Sequence, residues 1–112
     1  MITIYLREEI SCAHRLKLPY RSKCKKMHGH NYLIEVWIRG EKNKYGMIVD
    51  FSKVKDTIKK LDHRVLNRYI EQPTAENLAE YLASKIKGLG NNIKEVKVRV
   101  WEDKDSYAEI LF

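Results

Sequence analysis

Three of the four histidines, His14, His28 and His30, lie between positions 14 and 30, and two of them form the run His28-Gly29-His30. Side chains two apart on an extended strand point to the same side, so His28 and His30 can reach one ion. An antiparallel neighbour that ends near His14 can bring a third imidazole beside them. Three neutral imidazoles add no ligand charge and leave a fourth tetrahedral position open, the arrangement of a catalytic Zn²⁺ rather than a structural one. The plainer alternative is three unrelated histidines, because His-x-His pairs also arise by chance and the third ligand is remote in sequence.

Cys24 is the second candidate. It sits among Arg21, Lys23, Lys25 and Lys26, positive neighbours of the kind that favour a reactive thiolate. Cys12 reads instead as a small core residue, although its closeness to His14 leaves a metal-proximal thiol open. Asp62-His63 is an acid–base pair after an apolar helix; a carboxylate beside an imidazole orients it and raises its basicity. A surface charge pair at a helix end is the bland alternative. Glu102 follows Trp101 at the end of an alternating strand, where a carboxylate is either merely exposed or able to clamp an amidine-like ligand edge.

The elements that must position these groups are legible from periodicity. Met1 to Ile10 alternates and predicts a strand, with His14 just beyond it. Residues 15–27 are polar, carry Pro19 and predict a loop. Asn31 to Arg39 alternates again, Tyr32, Ile34, Val36 and Ile38 on one face and Leu33, Glu35, Trp37 and Arg39 on the other, with His30 and His28 at its start. Asp50 reads as the N-cap of a helix carrying Val54, Ile58 and Leu61. Pro73-Thr74-Ala75-Glu76 opens a second, with Leu78, Leu82 and Ile86 as its stripe and Gly88 or Gly90 as its stop. Ile93 to Trp101 and Tyr107 to Phe112 predict two more strands. The order strand, strand, helix, helix, strand, strand implies an α+β layer, one antiparallel sheet with both helices on one face.

At 112 residues, 44% hydrophobic and 33% charged, the chain reads as one folded domain, 1–112. No apolar run approaches membrane-spanning length and none resembles a signal peptide, so no membrane is expected and the cytoplasm is the expected location. The formal charge of +7 favours an anionic partner. Nucleic acid is not favoured: the basic 21–26 segment lacks interleaved aromatics, and no DNA-binding signature is present.

Six motifs together resemble the 6-pyruvoyl-tetrahydropterin synthase and 6-carboxytetrahydropterin synthase family over nearly the whole chain. They are Ala13-His14-Arg15-Leu16, Cys24-x3-His28-Gly29-His30-Asn31-Tyr32, Gly46-Met47-Ile48-Val49-Asp50-Phe51, Leu61-Asp62-His63-x2-Leu66-Asn67, Pro73-Thr74-Ala75-Glu76-Asn77-Leu78-Ala79 and Val100-Trp101-Glu102. The resemblance implies a tunnelling fold, a four-stranded antiparallel sheet with two helices on its outer face. It also implies a homo-oligomer, commonly a hexamer built as a dimer of trimers, with the sheets closed into a barrel and active sites between subunits. By the same resemblance His14, His28 and His30 would be zinc ligands, and Cys24 the catalytic base in a triad with Asp62 and His63. Glu102 would anchor the pterin, with Thr74 and Glu76 as supporting contacts. Ile10 and Cys12 depart from the family pattern without touching those roles.

Three residues separate Cys24 from His28, a short spacing that resembles the 6-carboxytetrahydropterin synthases of queuosine and archaeosine precursor synthesis. That branch converts 7,8-dihydroneopterin triphosphate to 6-carboxy-5,6,7,8-tetrahydropterin, acetaldehyde and triphosphate. The alternatives are the pyruvoyl-forming reaction or a zinc- or pterin-binding protein without turnover.

Overall fold

A computed structural model describes all of residues 1–112. Four strands form one antiparallel sheet in the order β1-β2-β3-β4: β1 Ile2–His14, β2 His28–Gly40, β3 Ile93–Asp103 and β4 Ser106–Leu111. Helix α1 covers Phe51–Lys59 and α2 covers Ala75–Lys87. The chain is therefore α+β, as its periodicity predicts. No helix is long and apolar enough to cross a membrane.

Alternation along the strands decides what the sheet buries. Leu6 and Ile10 of β1, Tyr32, Ile34, Val36 and Ile38 of β2, and Val96, Val98 and Val100 of β3 are buried in one core. The helices fill the other side of that core with Val54 and Ile58 from α1 and with Leu78, Ala79, Leu82, Ala83 and Ile86 from α2. Cutting one of these leucines or isoleucines back to alanine costs about 2–5 kcal/mol in a core that cannot collapse around the gap. The opposite sheet face is polar and aromatic. There Glu35 accepts from Tyr5 Oη at 2.6 Å and Trp101 Nε1 at 2.7 Å.

The helix ends follow local chemistry. The Asp50 carboxylate accepts from Ser52 N at 2.9 Å, and Thr74 Oγ1 accepts from Asn77 N at 3.1 Å, each relieving an orphan donor of a first turn. Gly88 caps α2, with Lys85 and Lys87 in the last turn beside the negative end of the helix dipole. Leu61 is buried as expected, but in the turn beyond α1 rather than within it.

One boundary matters for the site. β1 runs four residues past Ile10 to end at His14, so that His14 lies opposite His28 and Cys12 opposite His30. The histidines lie at one end of this β1–β2 ladder, whose strands are 13 residues each.

Candidate metal centre

The ladder register brings the three histidines together. His14 and His28 face each other across β1 and β2, and His30 is two residues further along β2 on the same side. Their ligating nitrogens all lie within 4.8 Å of one another. The ring pairs meet edge to face, with centroids 4.6, 5.0 and 4.9 Å apart. This side is the helix-facing one, so the cluster continues the hydrophobic core at its open end.

The hydrogen bonds at the far side of each ring determine what the near side offers. His14 Nδ1 is 2.7 Å from the Pro73 carbonyl, and His28 Nδ1 is 2.6 Å from the Lys26 carbonyl. A carbonyl only accepts, so each Nδ1 must carry the proton, which leaves each Nε2 with a bare lone pair when the ring is neutral. Those two Nε2 atoms are 3.0 Å apart. Two lone pairs at that distance repel unless a cation lies between them. His30 Nε2 is buried and has no hydrogen-bond partner, although Glu102 Oε1 is 3.3 Å away. Burial pushes the His30 imidazole below its ordinary pKa, against the pull of Glu102, which favours the neutral, ligating form. Pegged outer nitrogens, convergent lone pairs and an orphaned third nitrogen are what a metal ion bound by three histidines requires. The donor set, three imidazoles and an adjacent carboxylate, suits zinc.

Three contributors were not singled out from the sequence. The Pro73 and Lys26 carbonyls carry no side-chain signal. Tyr32 does: it follows His30 by two residues, and its buried hydroxyl lies 3.3 Å from His14 Nδ1 with its ring edge-on to both His14 and His30. It forms the floor between metal site and core, and burial raises its phenol well above the ordinary range.

Glu102, one residue past Trp101 on β3, directs Oε1 to within 3.6 Å of His14 Nε2 as well as 3.3 Å of His30 Nε2. It also lines a cavity of about 170 Å³ with Glu76, Ala75 and Tyr107. Thr74, expected beside it, spends its hydroxyl on capping α2.

Cys24 lies in a short 3-10 turn, Lys23–Lys25, half-buried. The turn is tied to the end of β1 by Leu16 N donating to Cys24 O at 2.9 Å. Asp62 and His63 lie elsewhere, on the outer edge of β1. Ser11 N donates to Asp62 Oδ1 at 2.8 Å and His63 N donates to Ser11 O at 2.7 Å, so the pair clips onto the strand as a partial fifth strand would. The clip holds His63 at φ 60°, a conformation that costs a non-glycine residue free energy and is retained when neighbours over-determine it. The Ser11 hydrogen bond, chiefly, holds the Asp62 carboxyl below its ordinary pKa, and His63 Nδ1 is 3.2 Å from Asp62 Oδ1. The imidazole is 82% exposed. It borders a cavity of about 410 Å³ with Ser11, Asn31 and Arg64. Neither residue hydrogen-bonds to Cys24 within the chain.

Cys12 is a core residue. Its thiol donates to the Leu61 carbonyl at 3.0 Å, and burial pushes it up to about 11, which removes it as a metal-proximal thiolate.

The sequence model of the 6-pyruvoyl tetrahydropterin synthase family matches residues 3–111. The chain belongs to that family. A relative from Pyrococcus horikoshii, which carries the provisional name 6-carboxy-5,6,7,8-tetrahydropterin synthase, is 41% identical over 97% of this chain and 89% of its own length. A relative from Pyrococcus furiosus named dihydroneopterin monophosphate aldolase is 33% identical over 96% of this chain and 95% of its own. Among solved structures, the 6-pyruvoyl tetrahydropterin synthase of Caenorhabditis elegans superposes with a TM-score of 0.72 at 28% identity, covering 97% of this chain and 94% of that one. The sheet with its two helices is thus the tunnelling fold of a family of pterin-processing enzymes, and the His14, His28 and His30 group can hold a metal ion.

Proposed function

We propose that this chain is a zinc-dependent 6-carboxytetrahydropterin synthase. It would convert 7,8-dihydroneopterin triphosphate and one water to 6-carboxy-5,6,7,8-tetrahydropterin, acetaldehyde and triphosphate, as one cytoplasmic domain spanning residues 1–112. The observation that carries the reading is the convergence of three imidazoles, two of them pegged, beside Glu102, which also lines a cavity with Glu76. The Cys24-x3-His28 spacing and the provisional name of the 41% identical relative support this branch over the pyruvoyl-forming one.

In this reading the residues divide the work. His14, His28 and His30 hold the ion, which when bound supplies Lewis acidity to the oxygens of the substrate side chain. Glu102 accepts from the pterin amino and ring N–H groups, and Glu76 and Thr74 support the ring from the start of α2. Cys24, as thiolate, takes and returns the protons of neighbouring side-chain carbons. His63, oriented by Asp62, relays them. Arg21, Lys23, Lys25 and Lys26 meet the triphosphate through charge-assisted hydrogen bonds.

The triad is assigned across subunits of a hexamer of two trimers. The exposure of His63 and its distance in bonding from Cys24 support that assignment, as does the free edge of β1 beyond the Asp62 clip. Mixed assemblies of inactive Cys24→Ala and inactive His63→Ala chains should regain part of the activity, because intact triads reappear at some interfaces. No recovery in verified mixed oligomers would place each site within a single subunit.

Mass spectrometry of the products from 7,8-dihydroneopterin triphosphate tests the reaction. The carboxylated pterin with acetaldehyde is expected; a pyruvoyl pterin would move the chain to the other branch. The Pyrococcus furiosus relative supports one second reading, aldol cleavage of dihydroneopterin monophosphate. That reading would show as turnover of the monophosphate with glycolaldehyde phosphate released.

A further inference from the structure

Glu102 does more than border the pterin cavity. Its only ion-pair partners are His14 and His30; no lysine or arginine approaches it. The oxygen it directs at them meets atoms that cannot satisfy it. His14 Nε2 is left with a lone pair by the Pro73 carbonyl on the other nitrogen, and His30 Nε2 is buried without a hydrogen bond. A carboxylate oxygen facing two such nitrogens needs a proton or a shared cation between them, and a cation satisfies all three atoms at once.

The spacing fits that cation. Ligands about 2.0–2.1 Å from a tetrahedral ion stand about 3.3–3.4 Å from one another. The contacts here are 3.0 Å for His14 to His28, 3.3 Å for His30 to Glu102 and 3.6 Å for His14 to Glu102. These three of the six ligand pairs scatter about the edge length of one coordination tetrahedron; His28 stands further from Glu102 and would have to move toward it.

We propose that Glu102 Oε1 is the fourth ligand of the ion in the substrate-free chain, giving a closed three-histidine, one-glutamate site. This inference rests on the zinc reading above and deepens the role of Glu102. The carboxylate lies between two demands, the ion on one side and the cavity shared with Glu76 on the other. Arrival of a pterin in that cavity offers its N–H groups to the same carboxylate, which releases the ion as it turns to them. A substrate hydroxyl then takes the vacated position. The exchange would open the metal site only when a pterin is seated, and so keep a Lewis-acidic ion from reacting with water or stray ligands.

The test needs no substrate and no turnover, so failure of the reaction assigned above leaves it intact. Zinc affinity of the purified chain, measured by competition with a chromogenic chelator, is compared with that of Glu102→Gln. Loss of an outer partner alone typically weakens metal binding about 10–100-fold, and loss of a direct ligand should weaken it at least that much. The cobalt-substituted chain should show the visible absorption of a four-coordinate site, altered in Glu102→Gln and altered in the parent by saturating neopterin. Glu102→Asp, which keeps the charge but shortens the reach, gives an intermediate affinity and remains informative if the glutamine variant fails to fold. Unchanged zinc affinity and an unchanged cobalt spectrum in a folded Glu102 variant would overturn the proposal.

Discussion

Replacing His28 or His30 with alanine should abolish stoichiometric zinc and, with it, turnover. Structural zinc sites are worth about 10–16 kcal/mol at neutral pH. Spread over four ligands, removal of one costs several kcal/mol, at least about a hundredfold in affinity. The loss should be specific rather than a consequence of unfolding, because His28 and His30 are half-buried at the open end of the ladder, whereas the apolar core lies further along β2. The metal-free state supplies a further check. In the parent the His14 and His28 Nε2 atoms face each other at 3.0 Å, a repulsion between lone pairs when no ion is bound. Metal-free His28→Ala should therefore be at least as stable as the metal-free parent, while the rise in Tm that zinc gives the parent should be missing from the variant. Thermal unfolding with and without zinc, beside metal analysis of the same preparation, reads both effects. Full zinc content and full turnover in either variant would show that the ion is held elsewhere.

Cys24→Ala should behave in the opposite way, keeping the ion and losing the chemistry. Sulfur binds zinc well, so a thiolate ligand is the competing role for this residue. The structure argues against it by accounting for the polar geometry around the cluster without Cys24. The convergent atoms belong to His14, His28, His30 and Glu102, and the cysteine sits in a separate turn. General acid–base transfer by a positioned group is worth roughly 10²–10⁴-fold, and the turnover of Cys24→Ala should fall by at least that factor with zinc content and pterin affinity retained. The side chain carries no hydrogen bond that folding depends on; the turn is held by the Ser22 hydroxyl on Cys24 N and by Leu16 N on Cys24 O, both backbone contacts that alanine keeps. Loss of zinc in step with activity would make Cys24 a ligand. Unchanged turnover would remove it from both roles.

Acid pH adds a quieter consequence for the Asp62 clip. Its carboxyl is held below the ordinary value chiefly by Ser11 N, so the ionised form is the one that fastens residues 62 and 63 to β1. That contribution is present above the unfolded-state pKa and is lost as pH falls through the lower, folded value. Under the role proposed for His63, turnover should fall over the same acid range.

The sequence by itself determined the layer architecture and the chemical cast. Alternation in β2 separated Tyr32, Ile34, Val36 and Ile38 from Leu33, Glu35 and Trp37, because a two-residue period admits only one division between core and solvent. Asp50 and Thr74 announced their helices, because a side-chain oxygen before an apolar stripe satisfies backbone donors that nothing else nearby can reach. His-x-His showed that two imidazoles share a side. What tertiary structure decided was how far β1 runs and against what. Extending β1 from Ile10 to His14 turned a histidine expected beyond the strand into one facing His28 across the ladder. No local pattern could state that, because Ser11, Cys12 and Ala13 are compatible with strand or loop until β2 offers them partners. The pegs on the imidazoles were equally silent. Pro73 and Lys26 act through backbone carbonyls, which every residue possesses, and only their placement by the start of α2 and the turn before β2 gives them a role. Glu102, more than seventy residues beyond His30, meets His14 and His30 because β3 pairs with β2 in the one register that carries Trp101 opposite Leu33. Residue types set which groups can bind metal or move protons; long-range strand pairing sets which of them meet.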